Sequence, residues 1–184
     1  MRPIMRAVSD YRRNFVPGGT FFFTVNLADR SSRRLTESID SLRGAFRHVR
    51  TRRPFTLDAI VVMPDHLHAI WTLPAGDADY STRWQLIKAA FSRDTDPLEQ
   101  RSKGRAAKGE RGIWQRRYWE HTLRDESDFA RHCDYIHFNP VKHGYVRTAR
   151  EWPYSSVHRF VKLGIYPPDW TGVADSDGKD FGER

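Results

Sequence analysis

Two histidines and, far downstream, a tyrosine are the residues most able to do chemistry in this sequence. His66 and His68 stand two apart in Val-Val-Met-Pro-Asp-His-Leu-His-Ala-Ile-Trp. On a strand, the alternation of side chains points both imidazoles to one face, where they can share a single ion. Leu67 and Ala69 then fall on the opposite face, toward an apolar core. Asp65 is placed to accept the second N–H of a ring and hold its tautomer. The pair alone is compatible with a metal site or with polar residues on a half-buried strand, so a third donor is needed. Three rival chemistries lose ground on the residues present. A triad of alternating histidines would need a third histidine where Ile70 stands. An amidohydrolase barrel usually takes about 250 residues, against 184 here. No His-Glu-x-x-His pattern of a zinc protease occurs.

The second informative segment is Arg131-His132-Cys133-Asp134-Tyr135-Ile136-His137-Phe138-Asn139-Pro140-Val141-Lys142-His143-Gly144. On a helix, Tyr135 and Asn139 lie one turn apart, while Phe129, Cys133 and Ile136 share a different face that would pack on a sheet. Tyr135 is thus expected to project away from the apolar stripe. Asn139 could join the two imidazoles as a third neutral ligand, leaving the ion open to phosphate oxygens. Taken alone, the segment also fits an ordinary buried tyrosine followed by a helix-ending asparagine.

The elements that would carry these residues follow from periodicity. Pro17-Gly18-Gly19 is a turn signal, and Thr20–Leu27 is aromatic and β-branched, the pattern of a buried strand. Leu35, Ile39, Leu42, Phe46 and Val49 predict one amphipathic helix over 31–50. Residues 55–63 and 66–73 read as strands joined at Pro64-Asp65 into a hairpin. Helical spacing runs from 80 to 92, and 93–112 reads as a mobile loop. A strand is expected within 113–123, then a helix capped by Asp125 or Ser127 and disrupted by Pro140. Further helical patterning spans 155–163, and the stretch from about 171 to 184 reads as a flexible tail. This order predicts an α+β fold, a largely antiparallel sheet with helices packed on it, in a single domain over 1–184.

Basic residues outnumber acidic ones to give a net charge of +8, which favours a polyanionic partner such as nucleic acid. Trp84, Trp114, Tyr118 and Trp119 lie among arginines and lysines, a mixture suited to unpaired bases. The apolar runs are too short to cross a bilayer. The single cysteine, Cys133, has no disulfide partner, so a reducing cytoplasm is expected.

At the level of whole motifs, the chain resembles the single-tyrosine HUH transposases, specifically the REP-associated tyrosine transposases. The histidine pair and Asp-Tyr-Ile-His-Phe-Asn-Pro-Val-Lys-His-Gly carry the likeness, with Tyr11-Arg12-Arg13, Pro17 to Asn26, Trp119-Glu120-His121 and Trp152-Pro153-Tyr154-Ser155-Ser156 in order. Insertion-sequence relatives usually carry glutamine four residues after the tyrosine; Asn139 matches the REP-associated branch. The resemblance implies a ferredoxin-like or RRM-like antiparallel sheet with the tyrosine on a helix of the C-terminal half. It implies a metal-dependent single-stranded DNA endonuclease and strand transferase acting on REP-type hairpins. Tyr135 would be the nucleophile, forming a 5′-phosphotyrosine, and His66, His68 and Asn139 would hold Mg²⁺ or Mn²⁺. Arg12, Arg13, Arg116, Arg117 and Lys142 are the expected DNA contacts, from a monomer or homodimer. A non-catalytic RRM-like nucleic-acid-binding module and an HUH nickase or replication initiator are the alternatives.

Overall fold

Alternation along one strand sets the layers of the molecule. In the computed structural model, which describes residues 13–95 and 112–172, strand β1 (Thr20–Asn26) turns Phe21, Phe23 and Val25 to one core and Phe22 to another. A ring on every position from 21 to 23 is what a strand covered on both faces requires. Helix α1 (Arg34–Glu37) and helix α2 (Ile39–Arg52) follow, then β2 (Thr56–Val62), β3 (His66–Thr72) and α3 (Tyr80–Asp94). Strand β4 (Trp119–Thr122), helix α4 (Glu126–Lys142), a 3₁₀ turn (Ala149–Glu151) and α5 (Val157–Lys162) complete the described residues.

The four strands form one sheet in the order β2-β3-β1-β4, with every neighbouring pair antiparallel. This is the expected α+β, ferredoxin-like arrangement. Helices α2 and α3 cover one face over Leu67, Ala69 and Trp71; Ala59, Val61 and Ile70 pack on the other with Cys133 and Ile136 of α4 and Val157 and Phe160 of α5. Arg83 fixes the start of α3. Almost wholly buried, its guanidinium pairs with Asp77 at 2.6 Å and donates to the carbonyl of Pro54 at 2.8 Å.

Three expectations change. The helix read as continuous over 31–50 is broken at Ser38, whose backbone (φ −111°, ψ 37°) leaves the helical region. There the Leu35 N–H is drawn to the carbonyl of Pro64 at 3.1 Å, tying α1 to the β2–β3 turn. The strand expected within 113–123 shrinks to Trp119–Thr122 plus an isolated bridge between Leu27 and Trp114. Pro140 does not end α4, which runs on to Lys142. A proline there removes one N–H near a terminus where few bonds remain to be made, and His143 N–H still reaches the carbonyl of Asn139 at 3.0 Å. The expected loop 93–112 lies mainly outside the described residues, although Arg93 and Asp94 are helical; most of the expected tail lies outside them too. Asp125 is the cap of α4, accepting from Asp128 N–H at 2.8 Å.

Candidate active site

The β2–β3 turn delivers the histidines. Met63 N–H bonds to the His66 carbonyl at 2.8 Å, and from there the pleat sends His66 and His68 to the α4 face and Leu67 and Ala69 to the α2–α3 core. Both imidazoles are buried, with ring centroids 5.0 Å apart. Each is fixed through Nδ1. His66 Nδ1 donates to Asp65 Oδ1 at 2.8 Å, and His68 Nδ1 meets Thr24 Oγ1, its cross-strand neighbour on β1, at 2.8 Å. With the proton on Nδ1 each Nε2 keeps its lone pair, the form that binds a metal. His66 Nε2 is buried and has no hydrogen-bond partner among the described residues.

For His68 the electrostatics favour this form. Burial, and then the charges of His66, Lys142, His143 and Arg30, push His68 well below the usual imidazole range, so it is neutral at ordinary pH. Burial alone would raise the Asp65 carboxyl, but the bond from His66 and the charges of His66 and Arg30 carry it below its usual value. Arg30 Nε lies 2.9 Å from Asp65 Oδ2, and its guanidinium also donates to Asn26 Oδ1. The carboxylate is thereby held ionised against His66.

Helix α4 supplies the other wall. Asn139 is fully buried, and its Nδ2 lies 3.3 Å from His68 Nε2, donating to it. Asn139 would serve the same ion as His68 only with its amide turned over, so that the oxygen takes the place of the nearly isosteric nitrogen. Tyr135, one turn earlier, stands over His68 with centroids 5.2 Å apart and against Phe22 at 6.1 Å. Here the sequence expectation is corrected. Tyr135 is only 8% exposed and packs toward the sheet beside His132 and Asn139, because Phe22, small Cys133 and the polar strand let the helix bury a wide arc.

Two residues complete the site in ways the sequence reading missed. Lys142, two turns after Tyr135, places Nζ 3.4 Å from the phenol oxygen and 4.8 Å from the ring centroid, where the sequence offers it only as a DNA contact. His143 caps α4 with its ring 5.5 Å from that of His66, and burial followed by the charges of His66 and Lys142 pushes its imidazole down. Its place in Val-Lys-His-Gly, eight residues past Tyr135, was the available signal.

A second cluster lies behind Phe22. Donor atoms of His121, Asp128 and His132 fall within 4.8 Å of one another. Asp128 accepts from His121 Nε2 at 2.9 Å and from Arg131 at 3.2 Å, while His132 Nδ1 donates to the Asp128 carbonyl at 2.7 Å. These bonds clamp the first turn of α4 to β4, and His132 rests on Phe22 at 4.8 Å. None of the three was singled out from sequence as a ligand.

The expected DNA cations do not gather in one place. Lys142 is beside Tyr135, whereas Arg13 and Arg116 line a cavity on the α3 side of the sheet. Arg117 is exposed next to them, and Arg12 lies outside the described residues. No described helix is long and apolar enough to cross a membrane.

Comparison with known proteins establishes the family. No protein-family model matches the chain. It is 47% identical over 179 residues to the REP-associated tyrosine transposase of Escherichia coli K12, covering 96% of this chain and 98% of that protein. A putative REP-associated tyrosine transposase of Haemophilus influenzae is 48% identical over 170 residues, covering 91% of this chain and 96% of that one. Among solved structures, a REP-associated tyrosine transposase bound to a REP hairpin superposes with a TM-score of 0.81 at 46% identity, over 96% of this chain and 98% of the other. The chain belongs to the REP-associated tyrosine transposases.

Proposed function

We propose that this transposase cuts and rejoins single-stranded DNA beside REP-type hairpins, with Tyr135 as the covalent nucleophile. The observation that carries the reading is the convergence on one face of the sheet of a phenol, an ammonium at 3.4 Å from it and two buried imidazoles. The REP hairpin held by a relative that is 46% identical supports the choice of substrate.

A phosphodiester is anionic and repels nucleophiles. His66 through Nε2, His68 through Nε2 and Asn139 through its amide oxygen form a donor set of the kind that holds Mg²⁺ or Mn²⁺, and such an ion would neutralise a non-bridging phosphate oxygen. The buried, unpartnered His66 Nε2 is the feature of this chain that fits such an ion. Asp65 acts through His66, holding its ring and proton in place. Lys142, donating to the phenol oxygen, favours the phenolate, which attacks phosphorus. The P–O3′ bond breaks as the P–O(Tyr135) bond forms, leaving a 5′-phosphotyrosine and a 3′-hydroxyl once the departing oxygen is protonated. Attack by a second 3′-hydroxyl reverses the step and rejoins DNA with no external energy source.

The test is to incubate the protein with labelled hairpin DNA bearing single-stranded flanks and Mn²⁺ or Mg²⁺, then look for a denaturation-resistant adduct. Adduct is expected from the native chain and not from Tyr135→Phe; adduct formation unchanged in Tyr135→Phe sinks the assignment. Metal affinity should fall most in His66→Ala and His68→Ala.

A further inference from the structure

On the face of the sheet opposite Tyr135 lies a cavity of about 670 Å³ between α3 and the segment leading into β4, within the ~300–1,000 Å³ usual for small-ligand pockets. The described residues lining it include four cations, Arg13, Lys88, Arg93 and Arg116, and no carboxylate. Aromatic rings stand among the cations. Lys88 Nζ lies 5.3 Å from the centre of Tyr118 and 5.7 Å from that of Trp114, and the Arg13 guanidinium lies over Tyr118 at 4.6 Å. Trp114 packs edge-on against Phe91 at 5.3 Å, and Tyr118 is tethered by a hydrogen bond. The Tyr118 hydroxyl donates to Ser81 Oγ at 3.3 Å, and Arg13 donates to the same oxygen at 2.8 Å.

Lys88 is the informative residue. Its ammonium donates to the carbonyl of Gln115 at 3.0 Å, an uncharged partner, while burial and then Arg13 push it down to about 8. A half-buried cation close to a second cation is stabilised when an anion joins them. Half-buried Tyr118 and the more deeply packed Trp114 border the cavity beside these cations. Together they match a ligand with a flat ring and a phosphate a few ångströms away.

We propose that this cavity is a second nucleic-acid site, taking one unpaired nucleotide of the DNA substrate with its base against Tyr118 and Trp114 and its phosphate against Lys88 and Arg13. The proposal rests on the reading of the chain as a DNA-cutting enzyme and adds a subsite remote from the cut. Because β4 is the edge strand, with Tyr118 in the cavity and Trp119 packed on Phe22 of the other face, a strand of DNA passing over that edge would engage both faces. The subsite would thus read unpaired bases while Tyr135 acts on another part of the same strand.

Anisotropy titrations without divalent ion, using one labelled hairpin made blunt, with a 5′ unpaired tail or with a 3′ unpaired tail, test this directly. Lys88→Met and Tyr118→Leu, each verified as folded by circular dichroism, should weaken binding of a tailed hairpin about tenfold and leave the blunt one unchanged. Photocrosslinking of tails carrying 5-iodouracil to the unsubstituted protein gives a readout independent of any variant, expected in the peptides containing Trp114 or Tyr118. Equal affinities for tailed and blunt DNA in both variants and the native chain, or crosslinks confined to β3 and α4, would overturn the subsite while leaving Tyr135 chemistry standing. Failure of the native chain to bind any of the three DNAs would overturn both readings.

Discussion

The two faces of β3 carry opposite kinds of order. On the α2–α3 side, Trp71 is fully buried, stacked on Trp84 at 4.2 Å and against Phe55 at 4.2 Å, and non-directional burial suffices to place it. On the α4 side, His66 and His68 are equally buried but are placed by directed bonds to Asp65 and Thr24. Around Trp71 the first face depends on close packing of rings; at His66 and His68 the second depends on where each proton and lone pair points, and it returns to apolar packing at Ile70. One strand, by alternating, separates holding the fold from doing the chemistry.

The sharpest way to break that comparison is to remove one atom from the chemical face and one side chain from the apolar face. Tyr135→Phe keeps the ring against His68 and Phe22, so unfolding free energy should change by less than about 1 kcal/mol, while adduct formation and cleavage fall by roughly 10⁴-fold or more. Trp71→Ala should do the reverse, costing about 3–5 kcal/mol in denaturant titrations, with the remaining folded fraction still forming adduct. A stable Trp71→Ala chain that has lost cleavage would mean the two faces are not separable in this way.

A smaller effect tests which role Lys142 plays. As an activator of the phenol, its replacement by methionine should lower the single-turnover cleavage rate roughly 10²-fold, with recovery as pH rises toward the ordinary phenol range near 10. A phosphate contact behaves differently. Lys142→Met would then weaken DNA binding and flatten its salt dependence by about one unit of slope, with the bound rate unchanged.

The apolar face was the more legible in the sequence. The aromatic and β-branched run at Thr20–Leu27, the strand pattern at His66–Leu73 and the periodicity at 80–92 report burial, which residue type encodes directly. The hairpin at Pro64-Asp65 and the Asp125 cap were legible for the same reason, since their local chemistry is complete within a few residues. The chemical face was legible only as residue types. The spacing of Tyr135 left open whether it projects or is buried, because that depends on Phe22 and on a strand of histidines distant in sequence. The extension of α4 past Pro140 was missed for a related reason. A proline near a helix end costs little when the following N–H groups find carbonyls, and it is this extra turn that brings Lys142 to the tyrosine. Trp114, Tyr118, Arg13 and Arg116 stood out in the sequence as aromatic and basic residues, but they and Lys88 come from separate segments, so that they share a cavity was not legible in the linear chain.

His137 marks the limit of the division between the faces, since it lies on the α4 side, is wholly buried, and sits away from the histidine pair. Its Nε2 meets Ser156 Oγ at 2.8 Å and its Nδ1 meets the Tyr166 hydroxyl at 3.2 Å, with that hydroxyl donating to Asp134 at 2.7 Å. Burial, followed by the charges of Arg159 and His158, pushes His137 down to about 3. The folded chain therefore keeps it neutral where the unfolded chain binds a proton near pH 6.5. Below about 6.5 the unfolded state holds more protons, so stability falls with falling pH and continues to fall until about 3. His137→Gln retains hydrogen-bonding groups and does not titrate. Between pH 6.5 and 4, where most carboxylates remain ionised, its unfolding free energy should fall less steeply than that of the native chain, by up to about 1.4 kcal/mol per pH unit. Some slope should survive, because burial also pushes His68, His132 and His143 down. Identical slopes in the two proteins would place the acid sensitivity in those histidines, next to Tyr135 and Phe22, and so return it to the chemical face.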